Sequence, residues 1–451
     1  MARFARLAFV FSLAFSACVP RIFNDPGKSK INEAPRDFQS WFSSLPPGPV
    51  ANYELVSRVV FHKVGSELIP DFTAKTIPEA KMEKRVEVTN TGGNKGSADG
   101  GVSMVWMRDY FPFVIKSSAA DAGGKARFIP YLSINPARNR FSSSLGVISA
   151  PGMLNPNMVA IDNEVIGAER ETVSVLPMPL LIEGGNLVAT GDHLILTDHV
   201  FLQNSPEYIT YLNKSGQRYS RESLEKIYQD NEFYKPNSRG EKFDYRSPEQ
   251  VKSVLANYLE VDQSKLIFLP TLPGEGTHHI DLFVLAIGKK HLMIPEITEE
   301  GIATLAFDQE KMLARSAMEF LNAQARLLSS QYEYKVDRLP MVPPIWQTET
   351  GSEKQAVFFS PANSLLANLG PDRKRVFLPH FDVPSDWGDP FRTYSSKVEQ
   401  QWKGYFEAEG WQPTFVTANK AARAFGLIRC LTASVPFFSE RQMLRFTKLG
   451  Y

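Results

Sequence analysis

The sequence predicts an α/β protein whose repeated units close into a ring, a propeller with strands inside and helices outside. Three observations carry that prediction. A hairpin followed by a helix and a third strand recurs along the chain, the two ends of the folded part hold the pieces of one more such unit, and an unusual polar residue stands just before or at the first hairpin strand of each copy. A unit this small cannot bury both of its faces alone, and repetition about an axis lets neighbours cover one another. A doubly wound open sheet would need single strands between helices, whereas hairpins dominate here.

The first copy is DYFPFVIKSSAADAGGKARFIPY, then a short helix near residues 158–168, then the strand ETVSVLP. NLVATGDHLILT begins the second, a strand, a tight Gly-Asp turn and a strand, followed by the helix EQVKSVLANYLE and the strand KLIFLP. In the third, the hairpin DLFVLAIGKKHLMIP precedes a long helix from about Asp308 to Ser330 and the strand YKVDRLP. The fourth runs SLLANLGPDRKRVFLP, the helix KVEQQWKGYFEAEG and the strand QPTFVTA. Sequence before Arg85 and after Cys430 joins to make the fifth. A polar stretch at about residues 204–247, containing the helix-like SRESLEKIYQ, reads as an insertion on one domain and not as a boundary between two.

Composition sets the outer limits. A chain of 451 residues, 43% hydrophobic and 12% aromatic, can bury a large core. Lys and Arg total 50 against 49 Asp and Glu, which gives no reason to expect nucleic acid as a partner. Residues 1–18 have the layout of an export signal: Arg3 and Arg6, an apolar run from Leu7 to Phe15 too short to span a bilayer, then small residues and Cys18. FSAC resembles the bacterial lipoprotein box, with Phe15 where an aliphatic residue is usual; the resemblance implies lipidation of Cys18 and a membrane tether, and plain signal cleavage is the other reading. Residues 19–50 mix Pro, Gly, Ser and charge and are expected to be a tether and N-terminal arm, and residues 51–451 a single catalytic domain. Once Cys18 is lipidated or removed, Cys430 is the one thiol left in an exported protein, and it must be buried or employed.

The polar residues that open the copies are Asp109 in WMRDYFP, Glu183 in LIEGGN, His279 and Asp281 in GTHHIDLFV, Asn363 in SPANS and Cys430 in GLIRCLTASVP. In an extended GTHHIDLFV, alternation puts His279 and Asp281 on one face and His278 on the other. Pseudo-symmetry would gather all of these at the axis. A thiol beside an imidazole is a covalent-catalysis pair, and carboxylates crowding one pocket call for a cationic substrate. Two aspartates can each take a fork of N–H donors from one planar guanidinium. Attack of sulfur at its central carbon would expel ammonia and leave a thiouronium adduct for water to hydrolyse, with His279 as acid and then base. The chain has seven histidines and no HExxH spacing, so a metal is not expected at HHID, nor at Asp192, His193, Asp198 and His199 in GDHLILTDHV. EGGN could also be no more than a flexible turn. Arg108 is expected in a structural ion pair, and Trp106 in core packing or in a pocket wall.

WMRDYFP, EGGN, HHID, PANSLLAN and RCLTASVP, in this order, resemble the motifs of the guanidino-group-modifying, or pentein, superfamily, and among its members the agmatine deiminases and bacterial peptidylarginine deiminases. The resemblance spans about residues 85–440 and implies a five-bladed α/β propeller of pseudo-symmetric ββαβ units. It also implies substrate-binding Asp109 and Asp281, catalytic Glu183 and His279, nucleophilic Cys430, and no organic cofactor. Asn363 and Trp106 are further candidates for substrate contact. The sequence departs from the pattern at His278, where many members have Gly, at the single Gly426 before the nucleophile, and in the insertion. The expected partner is an arginine side chain or a small guanidinium compound. The alternatives are an amidinotransferase on the same fold and a catalytically inactive, guanidinium-binding surface lipoprotein. A papain-like hydrolase fits less well, because acyl transfer wants oxyanion donors and not a ring of negative charge.

Overall fold

A computed structural model describes residues 38–62, 68–69, 71, 83–86, 106–111, 113–118, 126–135, 140–143, 174–207, 239–241, 244–347, 355–370, 373–382, 388–423 and 426–437. Cys18, the helix expected near 158–168 and most of the polar insertion lie outside the described residues.

Five sheets share one connectivity. In each, a first strand pairs antiparallel with a second, and the second pairs parallel with a third. The first unit uses Phe113–Lys116, Ala126–Ile129 and Ser174–Val175. The second uses Val188–Ala189, Leu194–Thr197 and Leu266–Leu269. The third uses Leu285–Gly288, His291–Met293 and Lys335–Asp337. The fourth uses Leu365–Asn368, Lys374–His380 and Gln412–Thr417. The fifth joins Thr432–Pro436 to Val56–His62 and Glu83–Val86, so the two ends of the chain meet in one sheet.

The parallel step in each unit needs a crossover, and in three of them a described helix provides it. Pro248–Leu259 starts with Ser247 and Gln250 in a reciprocal capping box and Pro248 in the first turn, and ends on Glu260 in the left-handed conformation. It buries Val251, Leu255, Ala256, Tyr258 and Leu259, a helical stripe facing its sheet. Asp308–Tyr332 and Asp389–Ala408 do the same with Leu313, Ala317, Leu321 and Leu328, and with Phe391, Val398, Trp402 and Phe406. Trp402 is fully buried and its indole N–H donates to the Pro340 carbonyl at 2.7 Å, so one side chain ties the helix to the segment that follows the third unit's last strand. Truncation to Ala would cost about 3–5 kcal/mol.

Three expectations are corrected. The fold begins before residue 51: Phe38–Ser44 is a helix that buries Trp41 and Phe42, and Gly48–Pro49 adds an antiparallel edge to the first sheet. The third hairpin starts at Leu285, because Ile280–Leu282 is a 3-10 turn and His278 takes the left-handed conformation at φ 61°. Val342–Gln347 and Gln355–Phe359 form an additional two-stranded sheet with an irregular register between Val342 and Ile345, where two prolines cannot donate to the ladder.

Each first strand is entered from the same end. Asp109, Glu183, His279, Asn363 and Cys430 all lie in the short turns immediately before those strands. The first strands of the second and third units are in contact, as are those of the fourth and fifth, and this adjacency brings residues from distant stretches of sequence together.

Candidate active site

Glu183 and its EGGN turn form the first wall. Gly184–Asn186 is a 3-10 turn pinned by Asn186, whose Oδ1 accepts the Thr197 backbone N–H at 2.8 Å. Neither glycine has positive φ, so flexibility is not what the position requires. Close approach is. A Cβ on Gly184 would lie 2.0 Å from the Arg108 carbonyl oxygen, and one on Gly185 would lie 2.4 Å from Nδ1 of His279. The Gly185 N–H donates to Asp109 Oδ1 at 3.3 Å.

His279 lies between two carboxylates. Its Nε2 is 2.9 Å from Glu183 Oε2, and its Nδ1 is 3.8 Å from Asp109 Oδ1, beyond hydrogen-bond reach. The 3-10 turn after it does what a strand was expected to do: His279, Asp281 and Cys430 each present a donor atom within 4.8 Å of the others. Backbone curvature replaces alternation as the cause.

Cys430 lies in the short helix Ile428–Leu431 and is 4% exposed. Asn363, fully buried, holds that turn: its Oδ1 accepts the backbone N–H of Arg429 at 3.0 Å and of Cys430 at 3.3 Å. Its Nδ2 is 3.0 Å from Asp281 Oδ1 and 3.3 Å from the Cys430 sulfur. On the far side of Asp281, Oδ2 is 3.6 Å from Nε of Arg429, with both side chains removed from solvent. Sequence reasoning missed Arg429; its one signal is a charge immediately before the cysteine in the otherwise apolar AFGLIRCLTASV.

Burial and charge divide the protons among these groups. Burial pushes Cys430 up to about 11, with Asp281 adding to the effect against the pull of the nearby His279 imidazole. Burial likewise raises Asp109 to about 7, despite the nearby imidazole. His279 moves well above its ordinary value: burial opposes its charge, but Asp109, Cys430 and Glu183 outweigh that. Glu183 is held below the usual carboxylate range, since its bond to His279 outweighs burial. The resting site is therefore an imidazolium and a thiol, with Glu183 ionised and Asp109 balanced near neutrality.

The remaining candidates sort as follows. The ring of Trp106 lies where a Cβ on Gly426 would come within 2.2 Å of it, so it packs on the segment leading to Cys430. Arg108 makes no ion pair among the described residues, contrary to expectation, and its Nε is buried without a hydrogen-bond partner. Asp192 is paired with Lys290 at 2.8 Å and Lys265 at 3.2 Å, so that turn is a structural ion network. His279, Asp281 and Cys430 have donor types suited to a thiophilic cation. Against that use, the Asn363 N–H group and the Arg429 guanidinium are aimed at the same sulfur and carboxylate.

No protein-family model and no curated protein matches the chain. Solved structures do. A protein from Porphyromonas gingivalis provisionally named an arginine deiminase aligns with TM-score 0.53 and 14% identity over 87% of this chain and 98% of its own. A provisionally named peptidyl-arginine deiminase gives 0.52 and 14% over 87% and 99%, and the agmatine deiminase of Enterococcus faecalis gives 0.51 and 15% over 87% and 96%. With those neighbours, the five sheets of common connectivity give this chain the mixed α/β fold found in the deiminases of the pentein superfamily.

Proposed function

We propose that the protein is a cysteine-dependent hydrolase of guanidinium groups, releasing ammonia and leaving a ureido product, with its five units closed as a five-bladed propeller. The observation that carries this reading is the convergence of one sulfur, one imidazole and three carboxylates, contributed by four of the five units, within a few ångströms. A planar cation bound there offsets the charge of Asp109 and Glu183 and favours the Cys430 thiolate, whose proton leaves to solvent. Sulfur attacks the central guanidinium carbon. The imidazolium of His279 gives its proton to the departing nitrogen, which leaves as ammonia, and the thiouronium remains on sulfur. Neutral His279 then takes a proton from water, hydroxide adds to the same carbon, and collapse to the ureido group expels the thiolate and releases the remaining hydroxyl proton, which restores the Cys430 thiol. Glu183 holds the imidazole in place through its 2.9 Å contact.

Arginine in peptides or proteins is the preferred substrate class, with agmatine as the small-molecule alternative. That preference rests on the N-terminal sequence, which supports export and a lipid anchor on Cys18 ahead of a single catalytic domain. One observation favours a second reading: a thiol raised to about 11 is what an inactive guanidinium-binding protein would also have. A colorimetric ureido assay on arginine peptides, agmatine and arginine separates them. Ureido product from the wild type and none from Cys430→Ala supports the hydrolase; a silent panel with undiminished ligand binding in Cys430→Ala supports the binding protein.

A further inference from the structure

The turns that carry Glu183 and His279 meet at a 2.9 Å contact, yet neither side chain bonds into its own turn. Their support comes from outside. The short helix His199–Gln203 follows the second strand of the second unit, which runs back to the end of the sheet where the first strand begins. From there it reaches both turns.

At the end of this helix Asn204 is completely buried. Its Oδ1 accepts the Leu181 N–H at 2.8 Å and its Nδ2 donates to the Leu181 carbonyl at 2.7 Å, so one amide pairs with Leu181 as a neighbouring strand would, two residues before Glu183. A further bond from Nδ2 to the Val200 carbonyl at 2.8 Å fixes that amide to the helix. The polar insertion starts here and ends near Arg246, whose N–H donates to the Asn204 carbonyl at 2.8 Å and whose guanidinium donates to the Pro179 carbonyl at 3.0 Å. Both roots of the insertion are thus fastened to the segment that leads into Glu183.

At the start of the helix, His199 is 8% exposed and its ring lies 4.3 Å from the ring of His278, tilted by 36°. Just before it, the Thr197 hydroxyl donates to the His278 carbonyl at 2.8 Å. His278 needs such support, because φ 61° suits glycine better than a residue with a side chain. Glu275 adds to it by accepting the N–H groups of Thr277 at 2.6 Å and of His278 at 2.5 Å. Backbone strain persists only where the surroundings over-determine it, and a glycine would relieve it here at the loss of the ring that His199 packs against. Burial above all keeps both imidazoles below their ordinary range, His199 at about 3, so they stack as neutral rings and put no positive charge beside Glu183 to compete with His279.

We propose that the helix His199–Gln203 and Asn204 form a positioning strut that sets the Glu183–His279 contact, with Asn204 fixing the approach to Glu183 and the His199–His278 stack fixing the turn of His279. The consequence for turnover rests on the hydrolase reading; the consequence for the His279 imidazole does not.

The test uses the full chain with its histidines labelled for NMR, and follows the titration of His279, assigned through His279→Asn, beside ureido kinetics and thermal melts. His278→Gly relieves the backbone and deletes the ring. It is expected to melt close to or above the wild type while the His279 midpoint falls by about one unit, as the imidazolium loses part of its hold on Glu183. In turnover kcat should drop about 10- to 100-fold with KM within about threefold, the pattern of a misplaced acid and base. His199→Ala should act in the same way, and His199→Phe, which keeps a ring against His278, should recover most of both losses. Asn204→Asp, which keeps the acceptor for Leu181 and loses the donor bonds, should move the midpoint in the same direction. A His279 midpoint and kcat unchanged in both His278→Gly and His199→Ala would overturn the strut. So would a tenfold rise in KM in His278→Gly with kcat and midpoint intact, which would make His278 a wall of the substrate pocket. Losses in His199→Ala that follow a lowered melting temperature, with no recovery in His199→Phe, would show plain scaffolding and overturn it as well. If the wild type turns over no guanidine, the hydrolase reading fails and the titrations still decide the strut.

Discussion

Among the described residues, His279 and His380 each stand between two carboxylates, yet they differ in what their ring nitrogens are free to do. His380, on the second strand of the fourth unit, has Nδ1 2.7 Å from Glu399 and Nε2 2.9 Å from Asp382, so both nitrogens are occupied. Hydrogen bonding to Glu399, against burial, lifts its pKa to about 9. His279 has one nitrogen engaged by Glu183, the other 3.8 Å from Asp109 and unpartnered, and a sulfur close by. A raised histidine pKa is common to both and identifies neither as functional. What distinguishes His279 is an open hydrogen-bond position beside the Cys430 thiol, inside a buried shell of charge.

The largest expected effect breaks the comparison directly. In the ureido assay, Cys430→Ala is expected to abolish turnover and His279→Asn to reduce kcat by about 100- to 10,000-fold, the range for a lost general acid and base. His380→Asn is expected to leave kcat within about twofold, as a residue with both nitrogens committed to the scaffold should. Equal losses at His279 and His380 would mean that their shared carboxylate pairing, and not the thiol, matters.

A second difference is charge response. Free Cys430 is expected to alkylate slowly at pH 7 and to accelerate toward about pH 11, since the raised pKa leaves little thiolate at neutrality. A bound guanidinium analogue too short to cover the sulfur should bring that rise to lower pH, because a cation favours the ionised sulfur. In turnover, KM should climb as pH falls below about 7, where Asp109 takes up its proton and ceases to attract the substrate. Asp109→Asn should remove that limb. An alkylation profile indifferent to the ligand would leave Cys430 a structural thiol.

Much of this was legible in the sequence, for reasons that also explain the remainder. The six polar residues could be found because each stands just before an apolar hairpin, and a repeat turns such a position into a spatial prediction. EGGN was readable as a turn, but its glycines are demanded by the ring of His279 and a carbonyl of Arg108, neighbours that no local pattern announces. The GTHHIDLFV segment alternates like a strand, yet its Glu275-braced loop and 3-10 turn hold the same two side chains together by another geometry. Arg429 was invisible because the direction of its side chain is set by Asp281, nearly 150 positions earlier in the chain.

The smallest expected effect concerns stability, and it separates the two histidine environments by pH window. Asp109 binds its proton more tightly in the folded chain, about 7 against an ordinary value of 3.8, so between roughly pH 4 and 7 the folded state carries more protons than the unfolded one. Stability contributed by that proton is present at low pH and is lost as pH rises through 7. His380 has the same sign in a higher window: its contribution is complete below about pH 6.5 and disappears as pH rises through about 9. Melting curves across pH 4–10 should therefore decline in two steps. Asp109→Asn should flatten the lower step and stand above the wild type at pH 8, because a neutral amide replaces a carboxylate that burial disfavours. Glu399→Gln should flatten only the upper step and lie below the wild type under pH 6.5. Its effect should be the weaker of the two, since His380 is 36% exposed and solvent screens its pairing. A lower step that persists in Asp109→Asn would assign that proton to another group and remove the electrostatic strain from the site.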